Sequence, residues 1–379
     1  MSAQPRVREL DLLRFVAAAA VMLHHYTGVI YYSAWETSAR TVFPTLAPVT
    51  SYGYLGVQLF FMISGFVILM SAWGRSPGDF AASRFTRLFP AYWFAVCLTL
   101  LVFLSTGRSS GWPVSDQGPI MRFLPNLTML QTGIGVPDSE SVYWTLWVEL
   151  HFYALMALLV WRGVTYRSCV TFMGVWLLAS VFAQEAGHKL LSAVLIPIYA
   201  PFFVAGMAFF LMFRYGPNLV LWLFIGVSWA LGVYYSVHNI SVFVAWPGRD
   251  YHVIPAVLTA FFLIMWMVAT RRLRWLNWSG LTVLGAMTYP LYLTHETISR
   301  PIIETLRTRQ DRWTVLAIAL VTALLLAYLI HRHLEQPLQR WLRPRLDAAL
   351  AQIRFSVPAE PVPPVPAPRE ADGRTAPIP

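Results

Sequence analysis

The run Gly56-Val57-Gln58-Leu59-Phe60-Phe61-Met62-Ile63-Ser64-Gly65-Phe66 lies within an apolar stretch over residues 52–73. At 1.5 Å per residue, about 20 mostly apolar residues cross the hydrocarbon of a bilayer, so this stretch reads as a membrane helix. Nine further segments read the same way, at roughly 10–30, 85–105, 142–161, 168–184, 191–213, 218–236, 253–269, 281–298 and 313–331. The whole chain agrees with them. Of 379 residues, 57% are hydrophobic and 12% charged, where a soluble domain carries about 25% charged residues. That much apolar surface cannot be hidden in a water-soluble core. The expectation is an all-α polytopic integral membrane protein of about ten transmembrane helices. Disordered, collagen-like, disulfide-scaffold and nucleic-acid-binding classes are excluded, the last despite a pI near 9.8.

The first apolar segment carries Asp11, Arg14, His24 and His25 and has no small-residue cleavage site, so it reads as a retained helix and not a signal peptide. The basic residues then set the orientation. With the N-terminus inside, short cytoplasmic loops hold Arg75, Arg84, Arg87, Arg162, Arg167, Arg214, Arg271, Arg272 and Arg274. Arg6 and Arg8 precede the first span, and Arg332, Arg340, Arg343 and Arg345 follow the last. The other side has Arg40, Arg108, Arg122, Lys189, Arg249, Arg300, Arg307, Arg309 and Arg312, in longer loops diluted by acids. The positive-inside rule therefore places both termini in the cytoplasm, with the 300–312 loop as an exception. One transmembrane domain is expected over 1–345, followed by a disordered cytoplasmic tail over 346–379. From Pro358 onward the tail holds eight prolines in 22 residues, a composition that does not fold. Cys97 and Cys169 read as small core residues, with no disulfide or metal site expected. The Asn126-Leu127-Thr128 sequon reads as chance.

Ionisable side chains inside a bilayer are costly, about 2.5–3.5 kcal/mol or more at a helix centre, so the ones present here are informative. Arg14 and His25 are eleven residues apart, which on a helix returns them to within about 20° of one face at a separation of roughly 16 Å. Taken singly, each has a bland reading: Arg14 snorkels to the inner interface, and His25 is a packing residue. His24 competes as the functional histidine but points about 100° from the Arg14 face. The fourth span opens Tyr143-Trp144-Thr145-Leu146-Trp147-Val148-Glu149-Leu150-His151-Phe152-Tyr153, with Glu149 roughly 12 Å below its outer end. His25 and His295, the latter in Thr288-Tyr289-Pro290-Leu291-Tyr292-Leu293-Thr294-His295-Glu296, stand at a comparable depth. Such a set suits a proton relay or a buried acid/base site. At the inner side, Arg84 and Arg87 share a helical face in Ser83-Arg84-Phe85-Thr86-Arg87-Leu88-Phe89-Pro90. Paired guanidinium groups grip phosphate, and they also serve as plain positive-inside anchors. Geometry at this level does not choose between the two.

Taken together, these strings resemble the membrane-bound acyltransferase-3 family, whose members O-acylate glycans, lipopolysaccharide, peptidoglycan, nodulation factors and macrolides. Arg14 and His25 match its Arg-(ten residues)-His motif, Phe60-Phe61-Met62-Ile63-Ser64-Gly65-Phe66 its second-helix segment, and Arg84-x-x-Arg87-Leu88-x-Pro90 its Arg-x-x-Arg motif. The run from Trp144 to Glu149 is similar to its Trp-Ser/Thr-Leu-x-x-Glu segment, and Tyr289-Pro290-Leu291-Tyr292-Leu293 with His295 and Glu335-Gln336-Pro337 complete the order. The likeness covers about residues 8–345. Thr288 and Thr297 depart from the usual serine and proline of the ninth helix.

The resemblance implies a coenzyme A thioester donor, acetyl-CoA in most members, presented from the cytoplasm, and no metal. It implies His25 as the catalytic residue, acting as general base or transient acyl carrier. Glu149 is expected, from depth alone, to orient or charge-balance His25. Arg14, Arg84 and Arg87 are expected at the donor, with Glu335 holding them; Trp144, Tyr289 and His295 are further candidates. Pro337 is expected to stop the last helix and fix the chain's exit. The implied partners are a glycan or glycolipid acceptor and membrane lipid, not nucleic acid. The implied location is a bacterial inner membrane. The 106–141 loop, with Trp112, Asp116, Asp138 and Glu140, suits contact with a sugar. The competing class is a proton-coupled transporter or flippase, for which His and Glu would be relay groups. Internal symmetry and broken helix pairs would favour that class, and the sequence displays neither.

Overall fold

The computed structural model describes residues 7–29, 34–107, 119–238, 250 and 252–356. Arg6, Arg108, Trp112, Asp116, Arg249 and the proline-rich stretch from Pro358 lie outside the described residues. Helix is the sole regular structure among the residues described. The long helices are α1 Arg8–Leu23, α2 Gly56–Ala72, α3 Pro77–Thr106, α4 Trp144–Arg162, α5 Tyr166–Glu185, α6 Ala200–Tyr215, α7 Leu219–His238, α8 Val253–Ala269, α9 Leu281–Leu306, α10 Arg312–Ile330 and α11 Gln336–Ser356.

Each of the ten apolar segments falls on one of α1–α10. Seven helical stretches among the described residues are long and apolar enough to cross a membrane: Ala47–Ala72, Pro77–Thr106, Ser141–Arg162, Tyr166–Glu185, Lys189–Tyr215, Leu219–His238 and Arg312–Gln352. The three helices that fall short do so for different reasons. α8 is apolar but has only 17 residues. α1 opens with Arg8, Glu9, Asp11 and Arg14 in its first two turns, and α9 carries His295, Glu296, Arg300 and Glu304. Of α1–α10, the two helices richest in ionisable groups are thus ones that hydropathy reads weakly.

The centre of the bundle is α2 against α6, whose apolar windows are 72% and 78% enclosed by protein, while α5, α7 and α10 stand at 33%. Small residues make that contact possible. A Cβ on Gly65 would collide with the Phe203 carbonyl, and one on Gly206 with the Met62 carbonyl, so the two backbones lie directly against each other. α1 packs between α2 and α9, α9 packs on α10 and α3, and α11 lies along α3.

Two helices contain a π turn at their C-terminal end. α1 widens into one over His24–Gly28, and α10 passes through another over His331–Glu335 before α11. This second turn corrects the expected stop at Pro337. The chain stays helical from Arg312 to Gln352, with Pro337 two residues past the π turn, whose wider turn lets the helix pass the ring and the lost N–H bond. Helix α11 also runs across residue 345, where the transmembrane domain was expected to end. Cys169 is buried, as expected, whereas Cys97 is exposed on α3. Asn126 is fully buried, and its side-chain amide donates to the Arg122 and Pro137 carbonyls, which leaves the sequon no room for a sugar.

Candidate active site

The π turn of α1 carries His24 and His25 to different partners. His24 is buried, and its Nδ1 donates to the Thr50 carbonyl at 3.2 Å. The His25 ring lies parallel to that of His295 on α9, with centroids 5.2 Å apart. His25 Nδ1 is 2.9 Å from His295 Nε2 and 3.7 Å from the Glu296 carboxylate.

The surroundings of His295 fix the tautomers. Its Nδ1 faces the carbonyls of Leu291 and Tyr292, at 3.2 and 2.9 Å. Carbonyl oxygens only accept, so Nδ1 carries the proton and a neutral His295 has its lone pair on Nε2. His25 Nδ1–H must then donate to His295, which leaves the lone pair of His25 on Nε2. About 19% of the His25 side chain is exposed, while His295 is enclosed. An oriented, partly exposed imidazole with a free lone pair is the arrangement a general base requires.

Glu296, which the depth argument overlooked, is the carboxylate nearest His25. It also accepts from the Ser141 hydroxyl. The loop that supplies Ser141 is itself held to α9 and α3: Thr297 of α9 and Thr99 of α3 donate to Glu140 at 2.7 and 3.3 Å. Within that loop, Asp138 accepts from Gln131 and Thr132. Burial pushes its carboxyl above the ordinary aspartate range, and those two hydrogen bonds pull it partly back. The Tyr26 hydroxyl donates to the His295 carbonyl at 2.8 Å, which fixes α1 to α9 beside the histidines.

Glu149 stands elsewhere. One of its oxygens accepts from Ser64 at 3.1 Å and from Tyr153 at 2.7 Å. Tyr153 in turn places its ring 6.0 Å from the Arg84 guanidinium, so Glu149 stands on the side of α4 that faces the α3 arginines. The hydrogen bonds seen for Glu149 thus go to Ser64 and Tyr153, whereas the carboxylate beside His25 is Glu296. Arg14 and Arg84 are half-buried and Arg87 is exposed. The Arg84 guanidinium lies 5.8 Å from the Phe80 ring centroid and 6.0 Å from that of Tyr153.

Between the two groups is a cavity of about 50 Å³, bounded by Val57, Phe60, Phe61 and Ser64 of α2, Thr145, Leu146 and Glu149 of α4, and Tyr289 and Tyr292 of α9. Tyr289 donates to the Leu88 carbonyl at 3.2 Å, tying α9 to the turn of α3 that holds Arg84 and Arg87. Trp144 packs on Tyr199 and does not line the cavity. Glu335 is buried, paired with His331 at 2.9 Å and Gln339 at 3.1 Å. Any influence it has on the arginines passes through the π turn, which packs on α3. Among the described residues, no group of three or more His, Cys, Asp or Glu is placed to hold a metal.

The acyltransferase-3 profile, described as an acyltransferase domain, matches residues 7–332. The chain belongs to this family. Its apolar helices and its family make it a multi-pass membrane protein. A curated relative, nodulation protein 10 of Rhizobium leguminosarum bv. viciae, is 28% identical over 198 residues, covering 45% of this chain and 51% of that protein. The chain thus matches about half the length of this relative. No solved structure matches. The family match favours the enzyme over the transporter as the reading of the intramembrane His and Glu.

Proposed function

We propose that the protein is an acyl-CoA-dependent O-acyltransferase that transfers a short acyl group, acetyl above all, to a hydroxyl of a cell-envelope or exported glycan or glycoconjugate. The observation that carries this reading is the His25–His295–Glu296 arrangement, which leaves His25 Nε2 as an oriented base. In the reaction, the acceptor hydroxyl gives its proton to His25 Nε2 as its oxygen attacks the thioester carbonyl. The C–S bond breaks, coenzyme A leaves as a thiolate and takes up a proton, and the acceptor keeps the acyl group as an ester. Glu296, 3.7 Å from His25 Nδ1, stabilises the imidazolium while it lasts, much as the carboxylate of a hydrolytic triad does.

On this reading Arg14, Arg84 and Arg87 bind the phosphates of coenzyme A from the cytoplasmic side, and Glu335 positions them through the π turn. The enzyme crosses a bacterial inner membrane about ten times with both termini in the cytoplasm. The acyl group therefore enters from the cytoplasm and leaves on an outward-facing acceptor. Comparing the glycan masses of a deletion strain and its parent tests the reading. Loss of one acyl group from a named carrier supports it, and identical glycans contradict it.

A further inference from the structure

The cavity between α2, α4 and α9 separates its walls by chemistry. Its polar members are largely engaged with the protein: Ser64 with Glu149, Thr145 with Tyr292 at 2.8 Å, and Tyr289 with the Leu88 carbonyl. Val57, Phe60, Phe61 and Leu146 have no hydrogen-bonding side chains and remain as the surface an occupant would touch. A site of this kind selects by shape and apolar contact, with its polar groups fixing orientation.

Its position narrows the occupant further. At one end Glu149 accepts from Tyr153, whose ring centroid lies 6.0 Å from the Arg84 guanidinium. At the other, the Tyr292 ring is 6.0 Å from that of His295, and Phe60 packs on the same tyrosine at 5.8 Å. An occupant is therefore a small apolar group, joined to an anion on the arginine side and presented to the imidazoles on the other. About 50 Å³ exceeds the roughly 10–15 Å³ needed for one water centre by a few atoms, far short of a fatty chain.

We infer that this cavity is the acyl-group pocket of the enzyme and that Val57, Phe60, Phe61 and Leu146 limit the donor to a short acyl chain. The assignment rests on the acyl-CoA reading above and adds the site that sets chain length. Phe60 is the member best placed to be cut back. It is half-buried, whereas Phe61 is enclosed in the core against Tyr199 and Phe203, at 5.2 and 4.8 Å.

The test uses the full-length protein in proteoliposomes with the glycan fraction of a deletion strain and measures free-thiol release and ester formation. Acetyl-, propionyl-, butyryl- and hexanoyl-CoA are compared as donors for wild type, Phe60→Ala and Leu146→Ala. Wild type is expected to prefer acetyl-CoA. Each enlarged variant should raise the butyryl-to-acetyl ratio of kcat/KM by about tenfold or more, the scale on which apolar pockets discriminate by a methylene. The two variants open the wall from different helices, so misfolding of one leaves the other as the test. A folded variant with an unchanged donor ratio overturns the pocket while leaving the acyl-CoA reading intact. Absence of thiol release by wild type from every donor overturns that reading, and the pocket with it.

Discussion

The basicity of His25 depends on a proton two bonds of the network away. His295 commits its Nδ1–H to the carbonyls of α9, so its Nε2 accepts from His25 and the free lone pair of His25 stands on Nε2. Replacing His25 with Ala should lower acyl transfer by at least about a hundredfold, the lower end of what positioned acid/base groups contribute. The protein should remain inserted and monodisperse, because α1 is held by its apolar packing against α2 and α9 and not by this partly exposed imidazole. His24→Ala should behave in the opposite way, losing thermal stability with its Thr50 contact while the surviving protein turns over. Equal turnover in wild type and His25→Ala would assign the chemistry to another residue. Glu296→Gln keeps shape and hydrogen bonding but removes the charge beside His25. It should cut kcat by at least about tenfold and leave the KM for acyl-CoA unchanged. A raised donor KM with normal kcat would place Glu296 at the donor instead. The motif made His25 a candidate from spacing alone, but the carboxylate beside it was not legible. Depth along a helix offers Glu149 and Glu296 equally, and only the packing of α1 on α9 distinguishes them.

Among the helices, the α2–α6 contact and the two π turns matter most. Gly65 and Gly206 have no room for a Cβ against the opposing carbonyls. Gly206→Val should therefore prevent or loosen the pairing, at a cost of about 1–3 kcal/mol or more as for other overpacked cores. Thermal unfolding followed by size-exclusion chromatography would show it, and a wild-type melting temperature would argue against so close a contact. The Ser64-Gly65 pair thus has two jobs, with Ser64 bonding Glu149 and Gly65 admitting α6. Glu335→Gln should raise the KM for acyl-CoA without moving the pH optimum, since Glu335 bonds His331 and Gln339 in the turn packed on α3. A displaced pH–rate profile with intact donor affinity would make it an acid/base group. Hydropathy found α2 to α7 and α10 readily because their windows are apolar. α1 and α9 were legible through their motifs more than their hydropathy, since their polar residues dilute it. The continuation into α11 was hidden by Pro337. A π turn just before a proline lets the helix pass it, and residue patterning does not announce such a turn.

At the level of the whole molecule, an acyl donor on one side and an acceptor on the other require a fixed orientation. On the proposed reading, the positive-inside rule puts both termini in the cytoplasm. A fluorescent protein fused after Pro379 should glow, and alkaline phosphatase at the same point should be inactive; the reverse pattern would invert the proposed direction of transfer. Composition alone made the membrane class legible. The route between the arginines and the histidines was not, because the cavity is assembled from α2, α4 and α9, which are remote in sequence. The central claim, that His25 moves an acyl group from coenzyme A to an external hydroxyl, is tested most directly by one transfer assay. Vesicles carrying the full-length protein are given labelled acetyl-CoA and the glycan fraction of a deletion strain, and ester-linked label is counted together with free thiol. The account predicts that both appear in equal amounts with wild type and that both fall to background with His25→Ala. Label transfer undiminished in His25→Ala, or movement of glycan without thiol release in wild type, would contradict it.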